Sequence, residues 1–173
     1  MLSMTSPHNT LQSYTVIVLR YGGEYLLLRR SPEKRLAPNR WTGIGGHVEP
    51  DEWADLTASA LRELAEETGI RAAGVDHLAL RRVLMHDRPG EPLTLLLYFT
   101  GDLRERQTPD CNEGVLDWVK PEAMAALDII ETTAAALPLL IEDQARDPCG
   151  GEPLRMGLAH YGADSRLERV LWA

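Results

Sequence analysis

Cysteine is scarce in this sequence, and long apolar runs are missing. Cys111 and Cys149 are the two cysteines among 173 residues, too few and too far apart for a disulfide framework or a cysteine-based zinc site. Apolar stretches such as Leu93 to Tyr98 and Ala134 to Ile141 are far shorter than a bilayer requires. We therefore expect no transmembrane segment, and a reducing, cytoplasmic compartment fits best.

Basic residues are outnumbered as well. The chain has 18 Lys and Arg against 26 Asp and Glu, which gives a formal net charge of -8. A negative charge of this size opposes attraction to phosphate backbones and to anionic lipid. We therefore expect neither a nucleic acid nor a membrane surface as a partner.

What is present is the composition of one ordinary globular domain, with 44% apolar and 25% charged residues. A chain of this length buries enough surface to fold without metals or disulfides. We predict a single α/β domain over residues 1–173, preceded by a polar lead-in at 1–13 and closed by a helix and hairpin at 132–173. Strands are predicted over Tyr14–Arg20, Glu24–Arg30, Asp76–Leu84, Leu93–Gly101, Val115–Val119, Arg155–Tyr161 and Leu167–Trp172, and helices over Trp53–Thr68, Pro121–Leu127 and Thr132–Asp143.

The helix predicted over Trp53–Thr68 has an unusual acidic face. At about 100° per residue, Glu63, Glu66 and Glu67 share one arc opposite an apolar stripe. The stripe consists of Leu61, Leu64, Ala65 and Thr68. Like charges at this spacing repel one another unless a cation intervenes, and carboxylates without nearby Cys or His favour Mg²⁺ or Mn²⁺. A solvated acidic helix face is the alternative interpretation of the three glutamates alone.

A longer motif surrounds these glutamates and resembles the Nudix box, GX5EX7REUXEEXGU with U an aliphatic residue. Its nine specified positions are filled by Gly46, Glu52, Arg62, Glu63, Leu64, Glu66, Glu67, Gly69 and Ile70. One departure is the spacer between Glu52 and Arg62, which has nine residues instead of seven. We expect the two additional residues to enlarge the loop or first helical turn around Trp53 to Thr57.

The resemblance implies a Nudix-type α/β/α sandwich with a mixed β-sheet, and a hydrolase that uses Mg²⁺ or Mn²⁺. Carried over by position, the metal ligands would be Glu63, Glu66, Glu67, the Gly46 carbonyl and Glu52, with the role of Glu52 dependent on the altered spacer. Arg62 would orient Glu63. The general base would be Glu113, which stands five residues before Trp118, although a solvated loop glutamate is an equal alternative.

The substrate implied by the resemblance is a small nucleotide. Arg30 resembles a phosphate-contacting arginine of MutT-like members, and Trp41 and Thr42 belong to a segment resembling that of oxidised-purine triphosphatases. The leading hypothesis is hydrolysis of a nucleoside triphosphate or of a modified, for example oxidised, nucleotide to a nucleoside monophosphate and pyrophosphate. The alternatives are an ADP-ribose or nucleotide-sugar pyrophosphatase and a non-catalytic nucleotide-sensing module. The C-terminal segment could extend the core, cover the substrate or form a homodimer contact.

Overall fold

A mixed β-sheet of eight strands runs through the computed structural model, which describes residues 11–88 and 90–173. Its order is β3-β2-β1-β5-β4-β7-β8, with β6 paired to β2. The pairs β1/β5 and β4/β7 are parallel, and the others are antiparallel. The strands are β1 Leu11–Tyr21, β2 Glu24–Arg30, β3 Trp41–Thr42, β4 Val75–His86, β5 Leu93–Leu103, β6 Gly114–Val119, β7 Arg155–Tyr161 and β8 Leu167–Trp172.

Helices cover both faces of this sheet. The α-helices are α1 Leu56–Thr68 and α2 Glu131–Arg146, and 3₁₀-helices span Ala72–Gly74 and Pro121–Ala126. Side chains alternate along β1, so that Ile17 and Leu19 pack in the core beneath α1, whereas Val16 and Val18 pack in the core beneath α2. The fold is therefore an α/β/α sandwich, as predicted. No helix among the described residues is both long and apolar enough to span a bilayer.

The boundaries of several elements differ from the predictions. Most of the predicted polar lead-in, residues 1–10, lies outside the described residues, as does Pro89 in the predicted turn between β4 and β5. The strand predicted from Tyr14 begins at Leu11, because Leu11 to Ser13 continue the parallel pairing with β5. The two-residue strand β3 was not predicted, since so short a pairing leaves no periodic pattern in the sequence.

Helix α1 begins three residues later than predicted, at Leu56. Asp55 is its N-cap and accepts a hydrogen bond from the Ala58 N–H at 2.9 Å. The buried stripe consists of Ser59, Ala60, Leu64 and Thr68, whereas the predicted stripe members Leu61 and Ala65 are only half-buried. Ala60 packs in the core beneath α1, and the buried Ser59 donates its hydroxyl to Glu52 in the loop before the helix, contacts that hydrophobicity alone does not indicate.

The C-terminal segment is joined to the sheet through a β-bulge in β4. The pairing with β5 shifts between Leu80 and Arg82, so two consecutive arginines reach toward the end of α2. Arg82 forms two hydrogen bonds to Asp143, at 2.6 and 3.0 Å, and Arg81 contacts Asp147 at 3.2 Å. Both arginine side chains are almost fully buried. The bulge thus fixes α2, and the chain that follows it, against the sheet.

Replacing Arg82 by alanine should lower the free energy of unfolding by about 3 kcal/mol, because Asp143 would keep its buried charge with only Arg146 beside it. Urea denaturation measures this. Arg104→Ala is the matched control, since its pair with Asp76 is exposed and is worth less than about 1 kcal/mol. Equal losses in the two variants would contradict the assigned role of the buried pair.

Candidate active site

The acidic face of α1 is organised by one arginine. Arg62 uses all five of its guanidinium N–H donors. Two of them bind Glu52 at 2.5 and 2.8 Å, and the others bind Glu63 at 2.9 Å, Glu66 at 3.0 Å and the His47 carbonyl at 3.0 Å. The side chain therefore joins the loop before α1 to two of the three predicted helix carboxylates.

Glu52 lies inside this network. Its carboxylate also accepts hydrogen bonds from the Ser59 hydroxyl at 2.7 Å and from the Glu49 N–H at 2.9 Å. Hydrogen bonds from Arg62, then from Ser59 and Glu49, lower the pKa of Glu52 to about 2. The nine-residue spacer contains a turn at Trp53 and Ala54 before α1 begins, and Glu52 reaches Arg62 across it.

Glu67 differs from Glu63 and Glu66, because no arginine of the described residues forms a hydrogen bond or an ion pair with it. Its hydrogen-bond donor is the Gly45 N–H at 3.2 Å. Burial raises the pKa of Glu67 to about 7, against the Gly45 hydrogen bond, and the nearby Glu113 and Glu63 carboxylates raise it further. Glu67 is thus a partly desolvated carboxylate with two negative neighbours.

The loop before β6 brings Glu113 to this position. Asn112 binds the C-terminal end of α1 through its N–H to the Glu67 carbonyl and its side-chain amide to the Glu66 carbonyl, both at 3.3 Å. The Glu113 carbonyl accepts the Ser31 N–H at 2.8 Å, and its carboxylate forms an ion pair with Lys34. The predicted base therefore lies beside the helix carboxylates, although it is distant from them in sequence.

The glycines before α1 allow the backbone to approach these carboxylates. A Cβ on Gly46 would overlap the Glu63 carboxylate, and a Cβ on Gly45, whose φ is 141°, would overlap the Thr15 backbone. The Gly46 carbonyl accepts the Thr15 N–H at 2.8 Å. This strand-like contact holds the glycine segment beside β1, where the Gly46 N–H donates to the Thr15 hydroxyl and the Gly45 N–H donates to Glu67 of α1.

The donor set fits a hard divalent cation. Glu63 and Glu113 lie close enough to Glu67 to raise its pKa, and carboxylate and carbonyl oxygens are the ligands that Mg²⁺ and Mn²⁺ prefer. Within residues 11–88 and 90–173, however, no three His, Cys, Asp or Glu side chains converge as a ready-made ligand group. Glu63 and Glu66 are instead turned toward Arg62.

A cavity of about 250 Å³ opens beside the carboxylates. Gly45 and Glu113 line it at the carboxylate end, and Arg30 and Thr42 line it as well. Two of the three residues predicted to contact the substrate, Arg30 and Thr42, therefore line this cavity. Trp41 lines neither this cavity nor the neighbouring cavity of about 500 Å³ that Tyr161 lines. It packs instead against the core under α2.

Sequence reasoning missed Lys34, Gly45 and Thr133. Lys34 belongs to a charged loop with two prolines, which predicted only exposure, and its pairing with Glu113 joins residues far apart in the chain. Thr133 lies 3.3 Å from Thr42 between their hydroxyl oxygens and lines the cavity. The hydrogen bond from the Gly45 N–H to Glu67 has no sequence signal, because it joins two separate elements.

Comparisons with known proteins find a family match over most of the chain. The sequence profile described as NUDIX domain matches residues 10–140. The m7GpppN-mRNA hydrolase NUDT17 of Xenopus laevis is 30% identical over 171 residues, which cover 90% of this chain and 53% of that protein. The chain thus spans about half the length of this curated relative.

Solved structures share the fold. The MutT protein of Bacillus halodurans aligns with a TM-score of 0.62 at 22% identity, covering 93% of this chain and 97% of that one. The NUDIX domain of Shewanella oneidensis NrtR, solved with ADP ribose, aligns with a TM-score of 0.56 at 17% identity, covering 80% of this chain and 86% of that one. At these identities the likeness concerns the fold.

Gly45→Ala should lower the free energy of unfolding by about 3 kcal/mol, because backbone strain and overlap with Thr15 add together. Gly22→Ala is the control, since Gly22 also has a positive φ but open space around it, and about 1 kcal/mol is expected there. Urea denaturation of both variants gives the comparison. If Gly45→Ala lost no more free energy of unfolding than Gly22→Ala, the close approach of Gly45 to Thr15 would be contradicted.

Proposed function

The chain belongs to the NUDIX domain family of hydrolases, and from this premise we propose that it cleaves the phosphoanhydride bond of a nucleoside triphosphate or of a modified, for example oxidised, nucleotide. The products are a nucleoside monophosphate and pyrophosphate. The observation that carries the proposal is the half-buried Glu67, which binds the Gly45 N–H and lies beside the loop of Glu113, since Gly45, Glu113 and Arg30 all line one cavity.

The carboxylates of α1 have separate roles in this proposal. Glu63, Glu66 and Glu67, with the Gly46 carbonyl, hold Mg²⁺ or Mn²⁺, which when bound neutralises phosphate oxygens and lowers the pKa of the attacking water. Glu52 acts through Arg62 instead, because both of its oxygens already accept hydrogen bonds. Arg62 keeps Glu63 and Glu66 oriented while the cation is absent.

Side chains of the cavity supply the remaining chemistry. Glu113 accepts the proton of the water, and Lys34 holds its carboxylate in position. Arg30, whose Nε donates to the Leu36 carbonyl at 3.0 Å, keeps its terminal N–H groups for the phosphates. The hydroxyls of Thr42 and Thr133 face the nucleoside and provide both donor and acceptor.

Two other substrates are favoured by specific relatives. Cap hydrolysis follows from the name of the Xenopus laevis protein, and an ADP-ribose or nucleotide-sugar pyrophosphatase follows from the ADP-ribose complex of the Shewanella oneidensis domain. Product identification separates them, because a capped substrate releases a methylated guanosine nucleotide, ADP-ribose releases AMP and ribose phosphate, and a triphosphate releases pyrophosphate. A nucleotide-sensing module would bind nucleotide without turnover.

Glu67→Gln should lower kcat with Mg²⁺ by about a hundredfold or more on the best nucleotide of a panel, because several kcal/mol of transition-state stabilisation depend on the cation. Pyrophosphate and phosphate release measure this. Glu122→Gln, an exposed glutamate on the 3₁₀-helix Pro121–Ala126, should match the wild type. Background rates for the wild type across the whole panel would overturn the proposed function.

Glu52→Gln and Glu63→Gln should differ in their effect on metal affinity. Loss of a residue that only orients Arg62 lowers Mg²⁺ affinity by roughly tenfold, whereas loss of a direct ligand lowers it further. Isothermal titration calorimetry with MgCl₂ and a non-hydrolysable nucleotide provides the affinities. If Glu52→Gln lowered the affinity for Mg²⁺ as much as Glu63→Gln does, Glu52 would be a direct ligand and the assigned role would be wrong.

A further inference from the structure

A second cavity continues the cleft away from the carboxylates. Its volume is about 500 Å³, and it shares Leu36, His86, Glu91, Ile130 and Thr132 with the cavity beside Glu113. Small-molecule sites have volumes of about 300–1,000 Å³. The first cavity alone is below that range and the joined cleft lies well within it. The cleft therefore has room for more than the group that lies next to the phosphates.

The far wall of this second cavity is the β7–β8 hairpin, which follows the NUDIX match at residues 10–140. In β7, Tyr161 lies on the α2 face, with the buried Gly157 and Ala159 in alternate positions before it. In β8, a register shift opposite Tyr161 places Leu167 on that same face. Both side chains line the cavity.

The hairpin is held firmly in this position. Strand β7 pairs with β4 from Arg155 to Ala159, and the Trp172 ring lies 5.0 Å from the Arg82 guanidinium. At the other end, Arg88 donates two hydrogen bonds to the Ser165 carbonyl, at 3.1 and 3.2 Å. A wall fixed at both ends can bind a ligand without first becoming ordered.

The lining of the second cavity suits a flat, neutral ligand. The rings of Tyr161 and His86 have centroids 5.7 Å apart, and apolar surface comes from Leu36, Ile130 and Leu167. The arginines there are matched by carboxylates, in the pairs Arg40–Glu131, Arg88–Glu91 and Arg166–Asp164. Because each of these arginines is already paired with a carboxylate, the second cavity favours a planar ring with hydrogen-bonding edges over another phosphate.

We propose that the β7–β8 hairpin forms a distal subsite that binds a second nucleobase of the substrate, with Tyr161 and Leu167 as its specificity-determining residues. This inference rests on the proposed function for the position of the phosphates. The second base is joined to the first nucleotide either through the ribose 3′ oxygen or through the phosphate chain. The cleft runs from the carboxylates past Thr42 to Tyr161.

The test compares three substrates that share adenosine. ATP has one base, the 5′-triphosphorylated dinucleotide pppApA has a second base on the ribose, and diadenosine tetraphosphate has a second base on the phosphates. Tyr161→Ala should lower the ratio of kcat/KM for a two-base substrate to kcat/KM for ATP at least tenfold. The compound whose ratio falls identifies how the second base is attached.

Matched variants separate recognition from folding. Leu171→Ala lies on the outer face of the same hairpin and is half-exposed, so it should leave the ratio unchanged, and Tyr161→Phe should keep most of the ratio because it keeps the ring. Leu167→Ala carries the test if Tyr161→Ala does not fold. Unchanged ratios for both two-base substrates in the folded variants would overturn the subsite.

A binding measurement keeps this outcome distinct from failure of the proposed function. In the Glu67→Gln background, calorimetry with Mg²⁺ should give at least tenfold weaker binding of a two-base compound, relative to ATP, once Tyr161 is replaced by alanine. If the wild type hydrolyses none of the three compounds, the proposed function fails while calorimetry still decides the subsite. An equal loss of affinity for all three compounds would overturn the subsite.

Discussion

The candidate active site depends on the guanidinium of Arg62, which binds two of the three glutamates on the acidic face of α1 and not the third, Glu67. Arg62 has five N–H donors, and Glu52, Glu63, Glu66 and the His47 carbonyl take all of them. This arrangement offsets the repulsion that three glutamates within one helical turn would otherwise produce. Glu67 is outside the network, so its negative charge has no full counter-charge within hydrogen-bonding distance in the described structure. Glu67 therefore lies next to the cleft, where Gly45 and Glu113 line the cavity.

The nine-residue spacer leaves both bonds of Arg62 to Glu52 in place. A turn at Trp53 and Ala54 precedes α1, and Asp55 then starts the helix as its N-cap. The Asp55 N–H donates to the Glu52 carbonyl at 3.0 Å, which holds Glu52 close to the helix start. An insertion inside α1 would instead have rotated Arg62 by about 100° per residue relative to the sheet. Additional residues in the loop before α1 therefore leave the orientation of Arg62 unchanged, whereas additional residues inside the helix would not.

The parts of the fold that sequence could predict are those with a local signal. The apolar runs of β1 and β2, the αL glycine Gly69 after α1 and the hairpin of β7 and β8 all leave such a signal. The ion pair of Lys34 with Glu113 and the hydrogen bond from Gly45 to Glu67 leave none, because each joins separate elements. The motif therefore predicts a set of carboxylates, whereas their hydrogen-bond and ion-pair partners are visible only in the fold.

Strand β4 connects the stability of the molecule with the shape of its cleft. Near its middle, the bulge at Arg81 and Arg82 binds α2, and Arg82 also lies against Trp172 of the hairpin. At its end, His86 lines both cavities and lies 3.4 Å from the Tyr161 hydroxyl. Strand β4 thus pairs with the hairpin and contributes His86 to the lining of both cavities. Loosening the buried arginine pair would therefore disturb both the contact with α2 and the packing against Trp172 of the hairpin that forms the far wall of the cleft.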